Sequence, residues 1–536
     1  MGNLEILDWS IIIVYLLLNL LLGFLLSKKV GSANDFYIGQ KTTPWWAIGI
    51  SVLATYVSGL TFLGAPAWSY NSGLSVIAIH LNYPLVIIIV MSLFLPFFMQ
   101  TGVVSIYEYQ EKRFGKTSRT VISVIFMLTQ LLSSAAILYG GALVIGYITG
   151  INVIVSIIVV SIITLIYTSL GGITAVIWTD VLQSSIFLAG GVIVFFILMN
   201  QLPESLIDSL SILKEKGKVN PIDLSFDPSD DTTIWAGVIA MTIYHVTIYG
   251  ANQMMMQRTL GAKNIGDAKK SLALMGFGAF FIYFLFILIG ILFYQYYQGR
   301  TFDNDNLIML EFAEKQGFSG FIGVIAAAIL SASMSSLSSA LNSFSTISTD
   351  GFYKKYYKPN ETPQHYLKVA RISTVFWVII VIIPAIAFSN STGSILELVT
   401  KIGSYFVGAK LSMYALGFYS KQTTEKGLLV GVGAGFIALL LVSQFTDIAW
   451  TWYAVIGALV NVIVSIIASI LIDGKQNEWS PYSIPGQRAE SKLENRPEKQ
   501  NGWYVIPGKL DRVSYNLIGF FVVTVVFLLL MENLIN

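Results

Sequence analysis

Apolar runs of about twenty residues, the length a helix needs to cross the hydrocarbon of a bilayer, recur from one end of this chain to the other. They lie near 8–27, 45–70, 74–99, 120–147, 151–170, 175–199, 232–252, 271–298, 318–343, 366–389, 394–418, 426–445, 449–472 and 513–535. Only 12% of the residues are charged, against about 25% in soluble domains. The pattern predicts an all-α polytopic membrane protein of roughly fourteen spans.

Loop charge tests that count, because cytoplasmic loops are rich in Lys and Arg. With the N-terminus outside, the inner loops receive Lys28, Lys29, Lys41, Lys112, Arg113, Lys116 and Arg119. They also receive Arg258, Lys263, Lys269, Lys270, Lys354, Lys355, Lys358, Lys421, Lys426 and the basic residues of 473–512. The outside receives only Lys214, Lys216, Lys218, Arg300 and Lys315. A missed span would invert the pattern downstream, so both termini are expected outside.

Several function classes fall away. The absence of cysteine excludes disulfides and thiolate chemistry, and three histidines are little material for a transition-metal site. A net charge of +2 spread over short loops makes no nucleic-acid patch. No Walker loop, HExxH motif or nucleophile elbow occurs, so no enzyme is expected. The Met1–Glu5 segment has no basic n-region or cleavage site, and the first run reads as a retained span. Asn390-Ser391-Thr392 is a glycosylation sequon.

Polar groups at membrane depth are functional hypotheses by default. The densest set is Ser331, Ser333, Ser335, Ser336, Ser338, Ser339, Asn342 and Ser343. Ser335, Ser338/Ser339 and Asn342/Ser343 share one helical face. Small residues also let membrane helices pack closely, but a continuous face of oxygens offers a small hard cation the ligands that water otherwise supplies. The second span, with Ser58, Gly59, Thr61, Gly64 and Pro66, reads as a helix interrupted at mid-membrane. Such breaks expose carbonyls that bind sodium; the plainer alternative is a kinked helix. Asp180 reads either as an interfacial N-cap or as a carboxylate drawing an exiting cation. His80 and His245 lie inside spans, where hydrogen-bonded core positions are the simpler reading. Glu397 and Lys401 form an i,i+4 pair expected to neutralise itself. Lys410 is expected to snorkel to the inner surface, and Trp45-Trp46 to sit in the interfacial belt.

With these residues in view, the chain resembles the sodium:solute symporter family, which includes sodium/glucose cotransporters and bacterial sialic-acid symporters. The resemblance runs from first span to last. It rests on Asp35-Phe-Tyr-Ile-Gly39 with Pro44-Trp45-Trp46, and on Tyr107-Glu108-Tyr109 before Lys112-Arg113-Phe114. It continues through Gly171-Gly172-Ile173 with Trp178-Thr179-Asp180, Gln257-Arg258, and the run Ser335 to Ser343.

The resemblance implies a LeuT-type core of two inverted five-helix repeats, here 45–199 and 232–418. Around them would lie a peripheral segment 1–44, an outer loop 200–231 and peripheral spans 419–536 with a cytoplasmic linker 473–510. It implies a sodium site from the carbonyls of Ala54, Val57 and Ala332 and the hydroxyls of Ser335 and Ser336. A second site in some members matches Ser338, Ser339 and Asp180. The matched substrate positions are Ser58, Thr61, His80, Tyr83, Ser133 and His245, but neither known substrate set is reproduced. Galactose-type members have an acid where His80 stands, an asparagine at His245 and a lysine at Ala279, whereas sialic-acid members have an arginine at Ser133. The expectation is sodium-coupled symport of a sugar or sugar acid by a monomer in the plasma (bacterial inner) membrane. A small-carboxylate symporter or a sodium-independent uniporter is the alternative.

Overall fold

Lipid offers the backbone no hydrogen-bond partners, so an apolar chain satisfies its amides within helices. The computed structural model describes residues 4–27, 36, 41–103, 105–390 and 394–535. The only sheet among them is a hairpin pairing Lys499–Gln500 with Trp503–Tyr504. The resemblance motif at Asp35 and Tyr37–Gly39, and Ser391-Thr392 of the sequon, lie outside the described residues.

Ten helices among the described residues are long and apolar enough to cross a membrane, and up to eleven if a bent pair counts as one crossing. Two shorter apolar helices, Val153–Ile166 and Ala236–Gly250, also occupy segments read as spans, as does Ile395–Tyr419. The chain is a multi-pass membrane protein.

Two interruptions shape the core. Helices Trp45–Tyr56 and Gly59–Ser72 meet at 52°, and the Ser58 hydroxyl, at the joint, accepts from the Leu60 N–H at 3.2 Å. Helix Met241–Gly250 gives way to Gln253–Leu260, and there the Asn252 side-chain oxygen accepts from the Met254 N–H at 2.9 Å. In both, a short polar side chain satisfies an N–H that a new helix start would orphan. A third change of direction falls at Gly172 (φ 57°, ψ −162°) inside Val153–Gln201. A Cβ there would lie 2.9 Å from the backbone of Phe36, so the close approach and the positive φ both require glycine.

The helix Phe321–Thr346 carries the serine face, and every residue from Ile325 to Thr346 is buried. It packs against Val153–Gln201, against Lys116–Thr149 and against both halves of the broken helix.

The polar loops gather in separate sets of contacts. Glu111 meets Arg119 at 2.7 Å and also pairs with Lys355, while Arg113 donates to the Ser420 carbonyl at 2.7 Å. In another set Lys218 lies over the Tyr294 ring and Arg300 pairs with Glu311 at 3.2 Å. Asp8 accepts from the Gly323 N–H at 2.8 Å, and Lys214 donates to the Ile535 carbonyl at 2.6 Å. The two ends of the described chain therefore share the face that carries 200–231 and 299–320.

Candidate functional site

The first break ends a helix in the middle of the protein. Val57 N–H still reaches the Leu53 carbonyl at 2.9 Å, but the carbonyls from Ala54 onward have lost their next helical turn. The neighbouring serine helix meets them. The Ser336 hydroxyl donates to the Thr55 carbonyl at 3.2 Å. Ala54, Val57, Ala332 and Ser335 line one cavity of about 150 Å³, together with Gln183, Ser184, Ser185 and apolar side chains. The approach depends on Gly59: a Cβ there would overlap the Ser333 hydroxyl and lie 3.1 Å from the Ile329 carbonyl oxygen.

Asp180 sits at the same junction. It is not an N-cap, because the helix starts far upstream and Asp180 lies two turns past the Gly172 kink, fully buried. Its carboxylate accepts from the Ser335 and Ser51 hydroxyls, both at 2.5 Å, and from Arg258 at 3.2 Å. Arg258 is itself buried and donates to Ser51 (2.8 Å), to the Met254 carbonyl (2.7 Å) and to Ser339. Ser338 and Ser339 donate to the Ser335 carbonyl at 2.9 and 2.8 Å. Ser339 and Asp180 are thus joined through a resident guanidinium, whereas the Ser338 hydroxyl bonds the backbone of its own helix. Sequence spacing cannot show that partner, since Arg258 lies on a different helix.

The six expected substrate residues divide into two neighbouring groups. Ser58 and Ser133 line a cavity of about 80 Å³ between the two broken helices, Lys116–Thr149 and Ile395–Tyr419. That is well under the ~300 Å³ at the low end of ligand pockets, so this conformation is narrow here. Thr61, His80, Tyr83 and His245 instead join an aromatic cluster beside it. His80 stacks on Tyr283 with centroids 3.6 Å apart and meets the Tyr83 hydroxyl at 3.1 Å. Thr61 reaches the Tyr283 hydroxyl at 3.5 Å. The Asn82 amide donates to the Ile79 and Gly237 carbonyls, leaving its oxygen to accept from His245 Nδ1 at 2.7 Å. His245 Nε2 then accepts from the Tyr56 hydroxyl at 3.1 Å. Tyr56 also lines the cavity, so it joins the two groups. His80 Nε2 has no hydrogen-bond partner among the described residues.

Two simpler expectations fail. Glu397 and Lys401 form no ion pair; Glu397 stands in the first turn of its helix, where Ser394 caps its N–H at 3.3 Å, and there its charge meets the positive helix end. Lys410 does not snorkel: it is 1% exposed and lines the narrow cavity. Tyr56, Gln130, Asn252 and Lys410 were not foreseen as cavity residues; only the three-dimensional facing of their helices reveals them.

A multi-pass helical protein with interrupted helices meeting at a buried polar junction belongs to the class of secondary transporters built around broken helices. A model of the sodium:solute symporter family matches residues 36–435, and the chain belongs to that family. It is 28% identical over 471 residues to the sodium/sialic acid symporter SiaT of Proteus mirabilis, covering 87% of this chain and 95% of that protein. It is 27% identical over 464 residues to the sodium/glucose cotransporter of Vibrio parahaemolyticus, covering 81% and 84%. A solved Na+-coupled sialic acid symporter in a substrate-bound, outward-open state superposes with a TM-score of 0.81 at 28% identity, covering 89% of this chain and all of that one. The nucleobase-cation symporter Mhp1 (TM-score 0.54, 14% identity, covering 86% of this chain and 99% of that one) shares the fold alone. The protein is a sodium-coupled symporter and not an enzyme.

Proposed function

We propose that the cargo is a sugar or sugar acid, moved by alternating access with a sodium ion held between the break and the serine helix. The ion's ligands are the carbonyls of Ala54, Val57 and Ala332 and the hydroxyls of Ser335 and Ser336. The observation that carries this is the meeting of the two elements: Ser336 already donates to the Thr55 carbonyl at 3.2 Å, and the other four residues line one cavity beside it. Outside sodium stabilises one arrangement of the half-helices, solute enters next to Ser58 and Ser133, and closure and rocking carry both inward. A sodium moving down 100 mV and a tenfold gradient supplies about 2.3 plus about 1.4 kcal/mol. That total holds a several-hundred-fold gradient of neutral solute.

A second ion at Asp180, Ser338 and Ser339 requires Arg258 to swing away, since its guanidinium now bonds Asp180 and Ser339. The inverted repeats 45–199 and 232–418 gain support from the two breaks, because each proposed repeat opens with a helix interrupted and capped in the same way. The remaining units are 1–44, 200–231 and 419–536, with a linker at 473–510. Fourteen spans with both termini outside agree with the loop contacts, and a monomer in the plasma (bacterial inner) membrane is the simplest working state.

The relatives' substrates, sialic acid and glucose, set the panel for the test. Purified protein in proteoliposomes is assayed for uptake of radiolabelled sugars, sugar acids and monocarboxylates under an inward sodium or potassium gradient. Uptake of a sugar or sugar acid with sodium alone is expected. Uptake indifferent to sodium would make the protein a uniporter; uptake of small monocarboxylates alone would favour the second reading.

A further inference from the structure

Lys410 is 1% exposed, and among the described residues it makes no ion pair or hydrogen bond. A bare ammonium at this depth is costly, and such groups in membrane proteins pair with something or face a cavity. Lys410 faces the narrow cavity that Ser58 and Ser133 line. The rest of that lining is uncharged: it holds hydroxyls and amides from Thr129, Gln130, Asn252 and Thr400, aromatic rings and apolar side chains, and no carboxylate. The site therefore offers one fixed positive charge, several neutral hydrogen-bonding groups and nothing to balance the charge.

From this we infer that the solute carries a carboxylate and that Lys410 is its counter-ion. An ammonium is a compact point charge with three donors, suited to a carboxylate delivered with a polar, hydroxyl-bearing body that the neutral groups hold. The inference rests on the proposed transport function and narrows it from sugar or sugar acid to acid. A lysine that merely stood in for a bound cation would leave neutral sugars as the cargo, so the two roles separate by experiment.

The full-length protein is reconstituted in proteoliposomes with an inward sodium gradient. A sialic acid, glucuronate and lactate are compared with glucose and galactose, for wild type, Lys410→Met and Lys410→Arg. In parallel, the detergent-purified proteins are melted in sodium with each compound. Wild type should take up at least one acid and neither neutral sugar, and that acid should raise its melting temperature. Lys410→Met should weaken the apparent affinity for the acid at least tenfold, the scale of one lost charge-assisted contact, and Lys410→Arg should restore part of it. Sodium alone should stabilise Lys410→Met as it does wild type, which shows that the variant is folded and its ion site whole. Sodium-driven uptake of a neutral sugar, unchanged in Lys410→Met, overturns the inference and leaves the transport function standing. Acid uptake unchanged in Lys410→Met also overturns it, as does a wild type that no acid stabilises. Uptake of acids without any sodium dependence contradicts the ion coupling and spares the role of Lys410.

Discussion

Replacing Ser335 or Ser336 by alanine removes one oxygen from the junction between the broken helix and the serine helix. Ser336 donates to the Thr55 carbonyl at 3.2 Å, and Ser335 donates to Asp180 at 2.5 Å. Each hydroxyl has lone pairs left for an ion. A hydrogen-bonding contact to a charged group is worth about 1.5–3 kcal/mol. Its loss corresponds to a rise of about ten- to hundredfold in the sodium concentration for half-maximal uptake. If Ser336 only held the Thr55 carbonyl, a neutral bond of about 1 kcal/mol would be lost and the shift would stay near fivefold. The assay is uptake in proteoliposomes against external sodium, with solute KM measured again at saturating sodium. Thr374→Ala is the control, because that hydroxyl donates only to the Ala370 carbonyl of its own helix, at 3.0 Å. The expected outcome is a large shift of the sodium curve for both serine variants, a solute KM within about threefold of wild type, and no shift for Thr374→Ala. Sodium curves for Ser335→Ala and Ser336→Ala that superimpose on wild type would refute the reasoning.

Neighbouring contacts set further outcomes. Gly59→Ala should push the broken helix off the serine helix, abolish uptake and destabilise the protein by about 1–3 kcal/mol, read as a lower melting temperature in detergent. Arg258→Ala and Asp180→Asn should each cost about 3–5 kcal/mol, because each strands a buried partner; a double-mutant cycle should show the pair costing less than the sum. In the loop cluster around Glu111, burial pushes its carboxyl up, but its bonds to Lys355 and Arg119 outweigh that and hold it below the usual value of 4.5. Its folded pKa being depressed, the stabilisation is full above the ordinary carboxylate range and fades as pH falls through the folded value. Melting curves of wild type and Glu111→Gln should therefore differ by a constant amount above about pH 5 and converge on acidification.

Much of the architecture was legible because a bilayer imposes length and charge rules on a chain. The segment from Ser51 to Pro66 showed its break through glycine and hydroxyl residues in an apolar run, and the joint falls at Val57-Ser58. The second break was hidden: the run from Met241 ends where a span is expected to end, and Asn252, which caps the new helix starting at Gln253, reads in the sequence as one more loop residue. Gathering Ala54, Val57, Ala332, Ser335 and Ser336 needed the family resemblance, since spacing relates residues on one helix and not between two. The same limit explains Asp180 and Lys410. The partner of Asp180 lies 78 positions away on Arg258. Whether Lys410 reaches up to water or into a cavity depends on how its helix is rotated, which one charged residue in an apolar run does not reveal.

The most direct measurement is binding of radioactive sodium to purified protein by scintillation proximity, for wild type and for the Ser335→Ala/Ser336→Ala double variant. Saturable binding by wild type, and its loss in a double variant that still elutes as a folded species, is the expected result. Equal saturable binding by the two proteins would contradict an ion held between the broken helix and its serine-bearing neighbour.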